Sequence, residues 1–184
     1  MQLSKPQSSR RATRPRRFFL TKLDLFSFVP FQLNRLAAEV SAALSEEYQQ
    51  RYGLDIPGWR ILATLGFRSD ACTAQFIAQC TRTHKSTISR AVNGLLDREL
   101  IERVENEDDR REFRLRLTKK GRALYLELVP RLKRKEQDIL SCLSSRELEQ
   151  FAAALGKIER HLNLIQASHD HSETTPAKAS ASVG

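Results

Sequence analysis

Two short stretches of the sequence alternate apolar and polar residues, whereas apolar residues elsewhere recur at helical spacing. They read Ile101-Glu102-Arg103-Val104 and Phe113-Arg114-Leu115-Arg116-Leu117. A period of two is typical of half-buried β-strands. The residues between them, 105–112, are wholly polar, so we predict a two-stranded hairpin with a charged tip. One hairpin in an otherwise helical chain restricts the fold to a mainly α class with a small β element.

Four helices are predicted before the hairpin. The first covers residues 20–50 and starts or kinks at Pro30, because proline lacks the amide hydrogen that a helix interior needs. Pro57 suits the first residue of the second helix. Thr73 is expected to cap the third helix through its side-chain oxygen. The fourth helix covers residues 84–98, with one apolar and one polar face.

Two more helices are predicted after the hairpin. Helical spacing holds from Thr118 to about residue 140, and Ser144 with Glu147 forms a capping box that starts the last helix. The last helix has a continuous apolar face made of Leu148, Phe151, Ala152, Leu155, Ile158 and Leu162. The apolar stripes of the first and last helices exceed what one small module can cover, so we expect a homodimer.

The charge balance predicts a polyanionic partner. The chain has 31 Lys and Arg against 22 Asp and Glu, a formal net charge of +9, and six of the basic residues fall within residues 1–17, which hold no acid. A basic arm favours nucleic acid before membrane, although a solvated tail that only aids solubility is the alternative. We predict that residues 1–19 are a disordered basic arm and residues 167–184 a disordered tail.

The cysteines and the N-terminal region favour the cytoplasm. The chain has three cysteines, which are Cys72, Cys80 and Cys142. They fit neither a closed disulfide set nor a paired metal-ligand spacing, and we expect all three to be buried and inert. Arg16-Arg17 looks like a twin-arginine export signal, but Lys22 and Asp24 interrupt the apolar core that such a signal needs. No stretch of the sequence is long and apolar enough to suggest a membrane partner.

The order of elements predicts a winged helix-turn-helix, because two short helices with a tight turn precede a hairpin. The fourth helix of the chain then has the size to enter a major groove about 12 Å wide. Its first turns are rich in small hydroxyls, which suit base edges, and in cations, which suit phosphates. Arg110 and Arg111 at the hairpin tip suit a narrow minor groove. The alternative is that the hydroxyls only cap the helix and the cations are only solvated.

Three motifs stand in a characteristic order and spacing. They are Ile56-Pro57-Gly58-Trp59-Arg60-Ile61-Leu62, then Lys85-Ser86-Thr87-Ile88-Ser89-Arg90, then Asp109-Arg110-Arg111 followed by Leu115-Arg116-Leu117-Thr118-Lys119-Lys120-Gly121. Together they resemble the MarR family of bacterial transcriptional regulators over roughly residues 25–165. The resemblance implies a MarR-type winged-helix domain over residues 20–166, with dimerisation helices at 20–52 and 118–166 and a DNA-binding module at 56–117.

The resemblance also implies a function. A member of this family is expected to be a regulator of transcription, most often a ligand-responsive repressor, that binds a palindromic double-stranded DNA operator as a homodimer. By position, Ser86, Thr87 and Ser89 are expected to face bases, while Lys85 and Arg90 hold the DNA backbone. The full predicted set is Thr83, His84, Lys85, Ser86, Thr87, Ser89, Arg90, Asp109, Arg110 and Arg111.

The wing departs from the family pattern. Arg111 matches the arginine that enters the minor groove and Asp109 the acid that braces the wing. The upstream Asp and Arg of the usual pattern fall on Asn106 and Asp108, and an acidic tip is repelled by phosphate. This departure leaves open a second function, a protein–protein adaptor without specific DNA binding.

Members of the family often respond to small aromatic or anionic effectors in a crevice between the dimer helices and the winged module. The residues predicted for such a crevice are Phe28, Phe31, Arg35, Trp59 and Arg60. Arginine beside aromatic rings suits an aromatic carboxylate, although the rings can equally be core and the arginines surface. A redox-responsive regulator that uses a cysteine thiol is another alternative. We predict no enzyme, cofactor or metal site, because the sequence lacks a phosphate loop, a nucleophile elbow and a His-rich motif.

Overall fold

Six α-helices and three short strands make up the residues that the computed structural model describes, which are 22–68, 70–105 and 112–164. In chain order they are α1 (Val29–Tyr52), α2 (Ile56–Phe67), β1 (Cys72–Thr73), α3 (Ala74–Cys80), α4 (Lys85–Asp97), β2 (Ile101–Val104), β3 (Arg114–Leu117), α5 (Lys119–Leu140) and α6 (Ser145–His161). This mainly helical architecture with a small sheet confirms the predicted fold class. The predicted arm and tail lie outside the described residues.

The chain divides into two compact units within α1, Met1–Leu36 and Ala37–Gly184. In the first, Gln32 donates a side-chain hydrogen bond to the Phe26 carbonyl at 2.6 Å. The second contains the remaining helices, the sheet and the buried core. The division of the chain into dimerisation helices and a DNA-binding module stays a prediction.

Local sequence explains where the helices begin and end. The helix predicted from residue 20 begins only at Val29, next to Pro30, which confirms the alternative of a start at this proline. It ends at Tyr52 because Gly53 adopts a left-handed conformation, with φ +56°, that favours glycine. Asp55 caps α2 by accepting from the Gly58 amide at 2.7 Å, so Pro57 is the second helical residue and not the first.

Two further caps agree with the sequence. The Thr73 hydroxyl accepts from the Phe76 amide at 3.1 Å and starts α3. At the start of α6, Ser144 and Glu147 form the predicted capping box, in which the Ser144 amide donates to the Glu147 carboxylate at 2.8 Å. Both predictions are confirmed.

The sheet has one strand more than predicted. The hairpin of β2 and β3 is present, with Ile101 opposite Leu117. Strand β1 adds to the other edge of β3, antiparallel, with Cys72 opposite Leu115, so the order is β1-β3-β2. A two-residue strand is too short to show alternation, which is why the sequence did not reveal it.

The core lies where α2, α3, α4, α5 and the sheet meet. Its buried aliphatic residues are Leu54, Ile61, Leu62, Leu65, Ile77, Ile88, Val92, Leu95, Leu100, Ile101, Leu115, Leu117, Leu128 and Leu132. At the start of α5, a Cβ on Gly121 would collide with the Leu100 carbonyl oxygen, so only glycine permits this close approach. The packing of α4 against α2 and α3 turns its apolar face inward and leaves its polar face in solvent. No helix within the described ranges is long and apolar enough to span a membrane.

Candidate nucleic-acid interface

The polar face of α4 is exposed over its first two turns. Ile88, Val92 and Leu95 are buried on the opposite side and anchor the helix in the core. The predicted DNA-contacting residues on the outer face are Lys85, Ser86, Ser89 and Arg90, which are exposed, and Thr87, which is half-buried. The structure thus brings five of the predicted residues together on one surface, with two cations beside three hydroxyl groups.

A tight turn sets the direction in which α4 begins. The Thr81 hydroxyl donates to the Ile77 carbonyl at 2.7 Å, and Arg82 closes the turn with a left-handed φ of 51°. The Thr83 amide donates to the Ala78 carbonyl at 3.0 Å, and this bond connects the end of the turn to α3. These bonds satisfy backbone groups at the end of α3 and fix the helix-turn-helix geometry.

Thr83 also forms a hydrogen bond with a residue of α2. The Arg60 Nη1 donates to the Thr83 hydroxyl at 3.4 Å, and that hydroxyl donates to the Thr81 carbonyl at 3.2 Å. Thr83 is half-buried, and among the predicted DNA-contacting residues that the structure describes only Thr87 is similarly covered. In the structure Thr83 therefore supports the turn, a role that the sequence analysis did not assign to it.

His84 caps α4. Its Nδ1 accepts from the Ser86 amide at 3.3 Å and lies 2.8 Å from the Ser86 hydroxyl oxygen. The His84 carbonyl accepts from the Thr87 and Ile88 amides, at 3.0 and 3.1 Å. Histidine is not among the preferred N-cap residues, so no sequence rule points to this role. The side chain is exposed at the edge of the same surface.

The base of the wing is ordered by side-chain pairs across the two strands. Arg116 and Glu102 are opposite each other and form an ion pair of 2.7 Å between Nε and Oε1. The Arg103 guanidinium lies 5.7 Å from the centre of the Phe113 ring, within the range of a cation–π interaction. Three predicted wing residues, Asp109, Arg110 and Arg111, lie outside the described residues, so their roles stay predictions.

The residues predicted for an effector are divided between the two units of the chain. In the first unit, the Arg35 guanidinium lies 5.4 Å from the Phe26 ring centre and 5.8 Å from that of Phe31. Phe28 is 41% exposed. The structure therefore brings Arg35 and Phe31 together and adds Phe26, which the sequence analysis missed.

In the second unit, Trp59 is half-buried and stacks between two tyrosines. The ring centres lie 5.8 Å apart for Tyr48 and 6.2 Å for Tyr125. Burial raises the pKa of Tyr48, an effect that the nearby Arg60 charge partly opposes. The sequence analysis identified Trp59 from the motif in which it lies. It missed the two stacking partners, because they lie in helices distant in sequence, α1 and α5.

The cysteines differ in environment. Cys72 is fully buried, as expected, whereas Cys142 is exposed in the turn after α5, so the prediction that all three are buried was wrong there. Cys80 is half-buried, and burial raises its pKa against the opposing effect of Arg68. A raised pKa reduces the thiolate fraction and with it the reactivity that a thiol sensor needs. Within the described residues, no group of three His, Cys, Asp or Glu could hold a metal ion.

Sequence comparison identifies the family. Residues 52–112, which include the helix-turn-helix and reach into the wing, match the family model described as MarR family. The HTH-type transcriptional regulator PecS of Dickeya dadantii is 31% identical over 132 residues, which are 71% of this chain and 79% of PecS. The chain belongs to the MarR family. It is therefore a winged-helix transcriptional regulator that binds DNA and not an enzyme.

Solved structures agree with this assignment. A MarR-family regulator from Silicibacter pomeroyi superposes with a TM-score of 0.66 at 26% identity, over 77% of this chain and 94% of that chain. MepR of S. aureus, in a complex with DNA, gives a TM-score of 0.61 at 24% identity, over 72% of this chain and 96% of MepR. The second likeness shows the shared fold.

Proposed function

We propose that this MarR-family protein is a cytoplasmic, ligand-responsive repressor that binds a palindromic operator as a homodimer. The observation that carries the proposal is the arrangement of α4, whose apolar face is anchored in the core while its cations and hydroxyls face solvent. A helix presented in this way is of the right size for the major groove.

The proposed contacts follow from chemistry and position. Ser86, Thr87 and Ser89 carry short hydroxyls that donate to or accept from base edges, whereas Lys85 and Arg90 carry charges for phosphate oxygens. The first turn of α4 also presents the positive end of the helix dipole, which favours a phosphate nearby.

The homodimer is supported by α6. Within the described chain, no residue of α6 is buried. Two residues of its apolar face remain open to solvent, since Leu148 is 38% and Ile158 44% exposed, and Leu162, which follows the helix, is 60% exposed. An apolar stripe of this length is typical of an interface, and we assign it to a second copy of the chain. Two-fold symmetry then places the half-sites one helical turn of DNA apart, about 10 base pairs.

The proposed effector is an aromatic carboxylate. Arg35 beside the rings of Phe26 and Phe31 supports it in one unit, and the half-buried Trp59 and the cationic Arg60 support it in the other. An arginine with adjacent rings offers both a partner for the carboxylate and a surface on which an aromatic ring packs.

Fluorescence anisotropy on the DNA upstream of the protein's own gene tests operator binding. We expect tight binding to this duplex, weak binding to a scrambled duplex of equal length, and a steep loss of affinity with salt. Arg90→Gln should weaken binding to both duplexes, whereas the matched control Arg160→Gln, at the exposed end of α6, should leave affinity unchanged. Equal weak binding to both duplexes would contradict autoregulation, and the same test on other promoters would then decide the proposal.

The effector is tested through the single tryptophan of the chain, Trp59. Titration with a panel of aromatic carboxylates should quench or shift its fluorescence and should release the operator over the same concentration range. Benzyl alcohol and benzylamine derivatives of the same rings serve as controls without a carboxylate. Arg35→Gln and Arg60→Gln, each compared with the wild type, show which of the two arginines the carboxylate needs. Operator release without any change in Trp59 fluorescence would contradict a site near that residue.

A further inference from the structure

Arg98, which follows α4 as its C-cap, joins the end of α4 to the end of α1. Its Nη1 donates to the Gly53 carbonyl at 3.0 Å, and its Nη2 donates to the Tyr52 carbonyl at 2.5 Å. Carbonyls at the end of a helix have no partner within the helix, and a positive charge also suits the negative end of the α1 dipole. We call these two hydrogen bonds the Arg98 bridge.

The backbone at this end of α4 is also held from the start of α5. Lys120 Nζ donates to the Arg98 carbonyl at 2.8 Å, and the Thr118 hydroxyl donates to the Glu99 carbonyl at 2.7 Å. All of these residues lie in the second unit of the chain. Because α1 and α5 belong to the predicted dimerisation helices, the end of the proposed DNA-binding helix is hydrogen-bonded to both of them.

The Arg98 bridge connects the two sides of a cleft. This cleft, of about 470 Å³, lies between α4 and residues 53–58, and both Gly53 and Arg98 line it. The inner face of α4 is fixed in the core by residues such as Ile88. On the side of the cleft, the bridge determines how the end of α4 sits against the end of α1.

The direction of α4 matters because the proposed base contacts lie at its opposite end. The helix has 13 residues, so its first turn lies about 20 Å from Arg98. Over this length, a tilt of about 3° moves the first turn by about 1 Å. A displacement of that size breaks hydrogen bonds to base edges, because their donor–acceptor distances stay close to about 3 Å.

We propose that Arg98 is a positioning residue for operator recognition: the Arg98 bridge fixes the direction of α4 relative to α1 and thereby sets the half-site spacing that the dimer accepts. This inference rests on the proposed function, in which a homodimer binds two half-sites at a fixed separation. The two recognition helices of such a dimer are held apart only as rigidly as each is joined to its dimerisation helices. Arg98 acts through α4 and does not itself contact DNA.

Operators with altered spacing test this role, once the operator has been mapped by footprinting. One base pair inserted or deleted between the half-sites shifts one of them by about 3.4 Å and rotates it by about 35°. The wild type should bind these spacing variants much more weakly than the operator. For Arg98→Ala we expect operator affinity to fall about tenfold, as for the loss of hydrogen bonds from a charged group, and the penalty for altered spacing to shrink by a similar factor.

Salt dependence separates positioning from direct contact. Arg98→Ala should leave the slope of log Kd against log salt unchanged, because no phosphate contact is lost. In the comparison variant Lys85→Ala, the slope should decrease by about 1, and binding to every spacing variant should weaken by the same factor. Arg160→Ala, which removes an exposed arginine from α6, is the matched control and should change neither affinity nor spacing preference.

The conservative variant Arg98→Lys separates positioning from folding. Lysine retains the charge but offers a single ammonium group in place of the planar fork of arginine. It should therefore reach one of the two carbonyls and give a spacing preference between those of Arg98→Ala and the wild type. Thermal unfolding of both variants shows whether each is folded, and Arg98→Lys decides the question if Arg98→Ala is not.

Failure of the proposed function and failure of this inference give different results. If the wild type prefers no promoter duplex over scrambled DNA, the proposed function fails and the role of Arg98 fails with it. If the wild type discriminates between spacings and the folded Arg98 variants discriminate equally well, the inference about Arg98 is wrong and the proposed function stands. An equal loss on every spacing variant, with a salt slope reduced by about 1, would make Arg98 a phosphate contact and would also overturn the inference.

Discussion

Helices α4 and α6 have the same kind of sequence and different surroundings. Each is amphipathic, and each begins with a side-chain cap, His84 for α4 and Ser144 for α6. In α4 the apolar face contains three buried residues, whereas in α6 no residue is buried within the described chain. An apolar stripe therefore predicts that a face will be covered, but not whether the covering surface belongs to the same chain.

The two helices also differ in what their polar faces offer. The outer face of α4 combines Lys85 and Arg90 with hydroxyls in its first two turns. The polar face of α6 includes exposed Glu149, Lys157 and Glu159, a mixture of charges that is typical of a solvated surface. We therefore assign DNA to the polar face of α4 and a second protomer to the apolar face of α6.

The largest expected difference between the helices concerns stability within one chain. Ile88→Ala in α4 should lower the free energy of unfolding by about 2–5 kcal/mol, because Ile88 is 1% exposed and the loss of its side-chain atoms leaves a cavity in the core. Ile158→Ala in α6 should lower it by less than about 1 kcal/mol, because 44% of Ile158 is already exposed. Urea denaturation at protein concentrations below the dimer dissociation constant checks both values. Equal losses would mean that the chain itself covers the face of α6.

The next effect concerns assembly. Ile158→Glu should raise the dissociation constant of the dimer at least about a hundredfold, because the interface would have to bury an unpaired carboxylate. Sedimentation velocity over a range of concentrations measures the change. Glu159→Gln, on the neighbouring exposed position, is the matched control and should leave the dimer intact. A wild-type protein that remains monomeric at all concentrations would refute the role given to α6.

Sequence reasoning succeeded where the cause of a structure is local. Pro30 marks the start of α1, Thr73 caps α3, and the capping box of Ser144 and Glu147 starts α6, because each depends on residues within one helical turn. The hairpin was also predictable, since its alternation lies within each strand.

Sequence reasoning failed where the cause is distant. Strand β1 exists because Cys72 pairs with Leu115, more than 40 residues away, and two residues carry no period of their own. The stack of Tyr48, Trp59 and Tyr125 joins three helices, and no motif includes all three rings. The cap formed by His84 is local, but histidine is not among the preferred N-cap residues, so the rules for helix starts do not point to it.

A smaller effect is expected when one hydroxyl is removed from the proposed base-reading surface. Ser89→Ala should lower discrimination at one base-pair position by about 1 kcal/mol, roughly fivefold, because a single hydrogen bond to a base edge is lost. Competition with operators that carry single base-pair changes measures it. Ser145→Ala, on the exposed first turn of α6, is the control and should bind all these operators as the wild type does. A loss of equal size on every operator would instead assign Ser89 to the backbone.

The smallest expected effect concerns the charge in the α6 cap. Hydrogen bonds from the Ser144 hydroxyl and amide lower the pKa of Glu147 below its ordinary value of 4.5. A carboxyl whose pKa is lower in the folded state stabilises the fold above its unfolded pKa, and this contribution disappears as the pH falls through the folded-state pKa. Glu147→Gln keeps a capping side chain without the charge, so it should melt slightly below the wild type at pH 7 and together with it at pH 3. A Glu147→Gln deficit that persists at pH 3 would show that the hydrogen-bond geometry, not the charge, stabilises the start of α6.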